Sequence, residues 1–227
     1  MPNSVRLVFL DRPQKANALD SGCLEKLRRD FEALHQDPDV HVVVLAGKGK
    51  TFCGGADVAE LKALNPQTGA AFVGRIHEVC KAIRDLPVPV IAQLHGAVIG
   101  AGLEIAAACD LRVAAEGTKF AMPEVKLAIP SVVEAALLPR LMGSGRAAWL
   151  VLTGEAIDAR RALEWGLIEQ VCPDLEAGVA SLVQTLLAAD RQALRMQKQL
   201  LQLWDEAPLS TAVAASIERF ASIHASR

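Results

Sequence analysis

Glu104 sits in the stretch HGAVIGAGLEIAAACD over residues 95–110, the one carboxylate in the first turn of the short helix read there. Three positions earlier, Ala101 lies between Gly100 and Gly102. An apolar run over 88–94 feeds this glycine turn, and a short helix of small residues follows over 103–109. Glycines let the backbone pass tightly from strand to helix and let a ligand come close. The first amides of such a helix have no internal acceptor and lie at its positive end, so they are donors ready for an anion. A helical side chain leans back toward the N-terminus, which predicts the Glu104 carboxylate near the Ala101 N–H. A donor for developing negative charge and an acid/base then face one spot, and that combination makes a reaction centre.

The elements that must hold this spot are legible in the hydrophobic pattern. A strand over 5–10 ends at Asp11-Arg12-Pro13, and a helix begins near Asp20 with Leu24, Leu27, Phe31 and Leu34 at helical spacing. The β-branched run 41–45 reads as a buried parallel strand, followed by a loop to Asp57. Helices are predicted over 58–64 and 68–86, then strands over 88–94, 111–114 and 119–121. Beyond Pro130 the pattern predicts helices over 134–142, 144–153, 159–165, 175–189, 191–204 and 209–224, with one strand at 167–171. Strands alternating with helices, then mostly helices, indicate an α/β core with a C-terminal helical region. The division expected is a core over 1–172 and a helical oligomerisation region over 173–227.

Composition narrows the function classes. A chain of 227 residues, 52% hydrophobic and 22% charged, is an ordinary globular protein of one large domain, or one with a small helical appendage. A net charge of −2 gives no basic footprint for nucleic acid. Cysteines 23, 53, 80, 109 and 172 are odd in number and nowhere CxxC, so neither a disulfide framework nor a zinc knuckle is indicated. No signal peptide opens the chain and no apolar run is long enough to span a bilayer, so a cytoplasmic protein without a membrane partner is expected. The absence of tyrosine removes any mechanism that needs a phenol.

Several motifs look like chemistry and fail. Gly49-Lys50-Thr51 ends like a phosphate-binding loop, but the glycine needed five residues earlier is Val44, inside a strand. Gly100-Ala101-Gly102 opens a helix as a dinucleotide turn does, yet the third glycine would be Ile105 and the helix is too short for a crossover. The five histidines are scattered without an HExxH pair, so surface or core histidines are expected and no metal site. Gly143-Ser144-Gly145 lacks the frame of a nucleophile elbow.

Five segments recur in a familiar order: Asp11-Arg12-Pro13 with Lys15-Ala16-Asn17-Ala18-Leu19; Phe52-Cys53-Gly54-Gly55-Ala56-Asp57; Gly96 to Glu104; Asp110-Leu111-Arg112-Val113-Ala114; and Phe120-Ala121-Met122-Pro123-Glu124. Through them the chain resembles the enoyl-CoA hydratase/isomerase family, the crotonases, from about residue 5 to residue 172. The resemblance implies a spiral of ββα turns binding an acyl-CoA thioester, with no cofactor beyond the coenzyme A of the substrate. It implies that the amides of Ala56 and Ala101 hold the thioester oxygen, and that Glu104 and Glu124 are the two acids. It further implies coenzyme A contacts at Lys15, Ala16, Ala18, Leu19 and Asp57, and assembly as a homotrimer or hexamer.

Hydration of an enoyl thioester drives charge onto the carbonyl oxygen as an enolate, so each preorganised N–H donor is worth ~10²–10³ in rate. One carboxylate must take a proton from water and another acid must supply one at C2, each contributing roughly 10²–10⁴. Glu104 is read as the base toward water and Glu124 as the C2 donor, the like charges helping keep one of them protonated. Taken singly, each residue has a plainer reading: Glu104 paired with Arg112, Glu124 as a loop acid, Lys48 and Lys50 as solvated lysines. The alternatives kept beside hydration are double-bond isomerisation by Glu124, a non-catalytic acyl-CoA-binding or RNA-associated scaffold, and a nicotinamide-dependent oxidoreductase.

The chain departs from the family pattern at Ser131-Val132-Val133-Glu134, where many relatives have a glycine-rich turn. The valines are expected to narrow or stiffen the acyl pocket. Glu134 is expected either as a third carboxylate near the site or as a solvent-facing helix residue. Against that pattern the chain also begins after the usual first strand and ends before a further helical segment.

Overall fold

The computed structural model describes residues 4–225. β1 (Val5–Leu10) runs through a 3-10 turn (Pro13–Lys15) into α1 (Ser21–His35), and β2 (Val42–Gly47) leads to α2 (Val58–Ala63) and α3 (Pro66–Asp85). β3 (Val90–Leu94), β4 (Ala97–Ile99) and α4 (Ala101–Ala108) come next, then β5 (Leu111–Ala115) and β6 (Lys119–Ala121). Two 3-10 turns, Pro123–Leu127 and Val133–Leu137, precede α5 (Leu138–Met142) and α6 (Ser144–Thr153). β7 (Ile157–Asp158), α7 (Ala159–Trp165), β8 (Gln170–Cys172), α8 (Leu175–Leu187), α9 (Arg191–Glu206) and α10 (Leu209–Ala225) complete the chain.

The long strands form one parallel sheet in the order β1-β2-β3-β5-β8, and β4-β6-β7 form a second, smaller sheet. Isolated parallel bridges, Leu19 to Ala56 and Cys53 to Val98, extend that smaller layer. Each turn of the chain thus lays a strand in the large sheet, a short extended piece in the small layer, and then a helix. This is the α/β spiral of ββα turns that the family resemblance implied. The sequence reasons are local. Every residue of β2 is buried, as its apolar run requires. The Asp20 carboxylate caps α1 at the Cys23 N–H, and Leu24, Leu27 and Phe31 form its buried stripe. Asn65 and Thr68 close a capping box on α3.

The structure corrects four element predictions. The helix expected over 134–142 is a 3-10 turn followed by α5. Val133 holds a positive φ of 41°, and Pro139 has no N–H to continue an α-helical ladder. The strand expected at 167–171 pairs at Gln170–Cys172 instead. Leu167 and Ile168 are buried core residues, but the Leu167 N–H goes back to the Ala162 carbonyl, so apolarity there reports packing and not a strand. β4 and β7 were not foreseen: β4 lies between the glycines of the stretch read as a turn, and β7 is two residues long.

The C-terminal helices are fastened to the core. α8 buries Val179 and Val183 with Val42, Val44, Ile91 and Val113 of the large sheet. α9 is anchored by Lys198, 4% exposed, whose ammonium donates to the Ile83 and Val88 carbonyls (3.2 and 3.0 Å) and to Asp110 Oδ2 (2.7 Å). Asp110 Oδ2 also accepts the first β3 amide, Val90 N–H, at 2.7 Å. Removing Lys198 leaves the partly exposed Asp110 carboxylate without its cation but with the Val90 hydrogen bond, which costs about 1–3 kcal/mol. Lys198→Ala is therefore expected to lower the urea-unfolding free energy by about that amount, as measured by circular dichroism.

Candidate active site

β4 and β6 bring the site together. Their register pairs Ile99 with Ala121, and the Gly100 N–H donates to the Ala121 carbonyl at 2.9 Å. Three residues past Ala121 comes Glu124, so this pairing sets its carboxylate against the start of α4. Gly100 has φ 51° and ψ −123°, and a Cβ built on it would lie 2.3 Å from Glu124 Oε1. Glycine is required there both for the backbone and for the space. The other Glu124 oxygen accepts from Ser131 Oγ at 3.0 Å.

The two amides are presented by opposite devices. The Gly100 carbonyl accepts from Leu103 and Glu104 N–H (2.7 and 3.0 Å), so across the same planar peptide the Ala101 N–H points out of the helix end. Gly55, at φ 97°, turns its carbonyl to the Leu19 N–H at 2.8 Å. The trans peptide then aims the Ala56 N–H away from Leu19. Among the described residues neither amide has an acceptor within the chain. Ala101 is an ordinary helical residue with no positive φ, so alanine is as well suited there as glycine.

Glu104 is buried in α4, every residue of which is buried. Its Oε1 accepts the Ala135 N–H at 3.2 Å. Burial first, then the charge of Glu124, pushes its pKa up to about 8, with the Ala135 hydrogen bond opposing and Glu134 adding to the rise. At neutral pH the Glu104 carboxyl therefore keeps its proton. Arg112 does not pair with it. The guanidinium is committed to Glu169 and to the Cys109 and Leu167 carbonyls (2.7 and 2.9 Å).

The residues matched to coenzyme A contacts separate into two groups. Ala18 and Leu19 line a cavity of about 180 Å³ with Arg12 and Cys23. Lys15 and Ala16 are exposed at the turn beside it, with Ala16 left-handed at φ 51°. The Asp57 carboxylate caps α2 at the Ala59 N–H (3.0 Å) and pairs with Arg12 (3.3 Å), which also contacts Asp20 and the Ala18 carbonyl. That side chain is thus engaged in holding the cradle together. Lys48 pairs with Asp11 at 2.6 Å.

Four residues that matter here were not singled out for these roles. Ser131 holds Glu124, the Ala135 amide holds Glu104, and His77 holds Glu134 (2.8 Å). Asn17, 2% exposed, ties the cradle to the 48–52 loop by donating to the Lys48, Thr51 and Phe52 carbonyls. For Ala135 and His77 nothing local in the sequence marks the contact, because the partners lie 31 and 57 residues away; Ser131 is seven residues from Glu124, with no regular element to fix that spacing. Glu134 itself is buried, which decides between its two sequence readings. Among the described residues no group of three or more His, Cys, Asp or Glu side chains is placed to hold a metal ion. No helix there is long and apolar enough to cross a membrane.

Within this ββα spiral the Ala101 amide, Glu104 and Glu124 meet at the start of α4, and the Ala56 amide stands just before α2. The enoyl-CoA hydratase/isomerase family model matches residues 1–227, and the chain belongs to that family. A short-chain-enoyl-CoA hydratase of Clostridium acetobutylicum is 33% identical over 220 residues, covering 95% of this chain and 84% of the relative. The putative enoyl-CoA hydratase/isomerase YngF of Bacillus subtilis is 36% identical over 212 residues, 92% and 82% of the two chains. The crystal structure of an enoyl-CoA hydratase from Bacillus anthracis superposes with a TM-score of 0.93 at 32% identity, over 97% of this chain and 88% of that one.

Proposed function

We propose that this protein adds water across the C2=C3 double bond of an enoyl-CoA thioester. The observation that carries the proposal is the arrangement at the start of α4: Glu124 Oε1 against Gly100, Glu104 one turn into the helix, and an Ala101 amide without an acceptor. In the forward direction the water oxygen bonds to C3 while its proton passes to the Glu104 carboxylate. The C2=C3 electron pair moves toward the thioester, the resulting enolate oxygen accepts from Ala56 and Ala101 N–H, and Glu124 delivers the proton to C2. The ionised Glu124 and protonated Glu104 left behind are the charge state in which a 3-hydroxyacyl thioester is dehydrated. Burial favours a protonated Glu104 in the free protein, whereas hydration starts with Glu104 ionised and the transferable proton on the C2 donor. No cofactor is needed beyond the coenzyme A carried by the substrate.

The adenine end is proposed to lie at Lys15, Ala16, Ala18 and Leu19, with Asp57 fixing the cradle through Arg12. Self-association as a trimer or hexamer is part of the same proposal. Its support is the row of exposed apolar residues on α10, Leu209, Val213 and Ile217.

Loss of absorbance of the conjugated thioester on incubation with crotonyl-CoA tests the reaction, and no turnover of crotonyl-CoA or longer enoyl-CoAs would sink it. The pH profile is a further expected result. The catalytic pair must hold one proton, and Glu104, raised to about 8, is the acid that keeps it longest. Hydration and dehydration rates should both fall as pH rises through about 8, and a profile flat to pH 10 would contradict this assignment.

A further inference from the structure

The Glu124 carboxyl group is held from two sides. Its Oε1 lies against Gly100, where a side chain would have no room, and its Oε2 accepts from Ser131 Oγ at 3.0 Å. Among the described residues this is the only hydrogen bond to the Glu124 side chain, so Oε1 has none. The torsion that turns a carboxyl group about its last carbon–carbon bond is broad and roughly two-fold. A hydroxyl bonded to one oxygen removes that freedom and makes the two oxygens different. Oε2 is tied to the loop, and Oε1 stays at the start of α4, beside Ala101.

The loop that carries Ser131 is folded back to present its hydroxyl. Ala128, left-handed at φ 60°, ends the turn Pro123–Leu127 and brings the chain round, so that the Ile129 N–H donates to the Glu124 carbonyl at 3.2 Å. Pro130 follows with a fixed φ and no N–H, and Ser131 comes next, half-buried. A second left-handed residue, Val133 at φ 41°, turns the chain again, and two residues later the Ala135 N–H reaches Glu104. Non-glycine residues keep such a conformation only where their surroundings over-determine it. Residues 131–135 thus touch both acids, Glu124 by a side chain and Glu104 by the main chain.

We propose that Ser131 is a positioning residue for Glu124: its hydroxyl holds Oε2, so that Oε1 is the oxygen that exchanges a proton with C2 of the bound acyl thioester. Ser131 itself touches no reacting atom. Its role rests on the enolate chemistry proposed above, in which Glu124 serves C2 while the two amides hold the thioester oxygen.

A saturated thioester isolates the step, because butyryl-CoA has no double bond to hydrate yet carries protons at C2. In heavy water a C2–H bond breaks, its proton passes to Glu124 Oε1, and the electron pair moves to the enolate oxygen. Oε1 trades that proton for a deuteron from solvent and returns it to C2, so the label enters with no other change of bonding. Proton NMR reads the loss of the C2 signal. Ser131→Ala should slow exchange at saturating butyryl-CoA by about 10- to 100-fold, the scale for misplacing a reacting group, with KM unchanged. Ser131→Thr keeps the hydroxyl and should restore the parent rate, with thermal unfolding as the control on both variants. Exchange unchanged in Ser131→Ala would overturn the proposal, as would a loss carried by KM alone or one that Thr fails to restore. A parent protein that leaves C2 unexchanged overturns it too. Crotonyl-CoA hydration is measured separately. Exchange that depends on Ser131 without hydration refutes the reaction and leaves the positioning role standing; normal hydration with exchange indifferent to Ser131 refutes the positioning role alone.

Discussion

Glu104→Gln and Glu124→Gln should each slow hydration of crotonyl-CoA by ~10²–10⁴-fold, the range for loss of one positioned acid or base. Glutamine keeps size and acceptor in both places. At position 104 the amide oxygen still accepts the Ala135 N–H, and at position 124 it still accepts from Ser131 Oγ. Neither variant therefore needs to rearrange its surroundings, and the loss reports proton transfer rather than folding. The two effects should not multiply in the double variant, because a pair that passes one proton between water and C2 fails as a unit. Initial-rate measurements on the three variants, with thermal unfolding as control, decide this. Turnover unchanged in both single variants would remove the roles assigned here.

Ala101→Pro tests the donor without touching an acid. Proline at the first position of a helix is tolerated, since that N–H has no intrahelical acceptor and φ is already near the helical value. Ala101 occupies that position in α4, after a glycine whose backbone is unconstrained by a Cβ. The variant should keep its fold, yet it has lost one of the two hydrogen bonds to the enolate oxygen. The expected result is a fall in kcat/KM by ~10²–10³. A variant that folds and hydrates at the parent rate would show that the thioester oxygen is held elsewhere.

Much of this molecule can be read from its residues in order. The helix start at Asp20 is a capping signal and the buried strand at 42–47 is an apolar run, both written within a few neighbouring positions. The family is legible for a related reason: each motif is a short local device, such as the turn at Gly100, whose φ only glycine takes comfortably. Misreadings came where one turn of chain is shaped by another. Residues 133–142 carry a helix-forming composition, yet a left-handed Val133 and the demands of Glu104 and α3 bend the first half into a 3-10 turn.

Residue types and spacing by themselves point to an α/β core and to Glu104 beside the Ala101 amide, while the spiral class, Glu124 and Ala56 entered through the resemblance to the family, whose motifs are each a handful of adjacent residues. Tertiary structure decided the electrical state of Glu104 and the surroundings of the other carboxylates. Burial and the nearby Glu124 leave Glu104 protonated at neutral pH, Arg112 turns out to serve Glu169, and Glu134 is drawn inside to His77. A carboxyl group's proton affinity is set by everything within several ångströms, and here those neighbours are brought in from segments up to 57 residues apart in the chain.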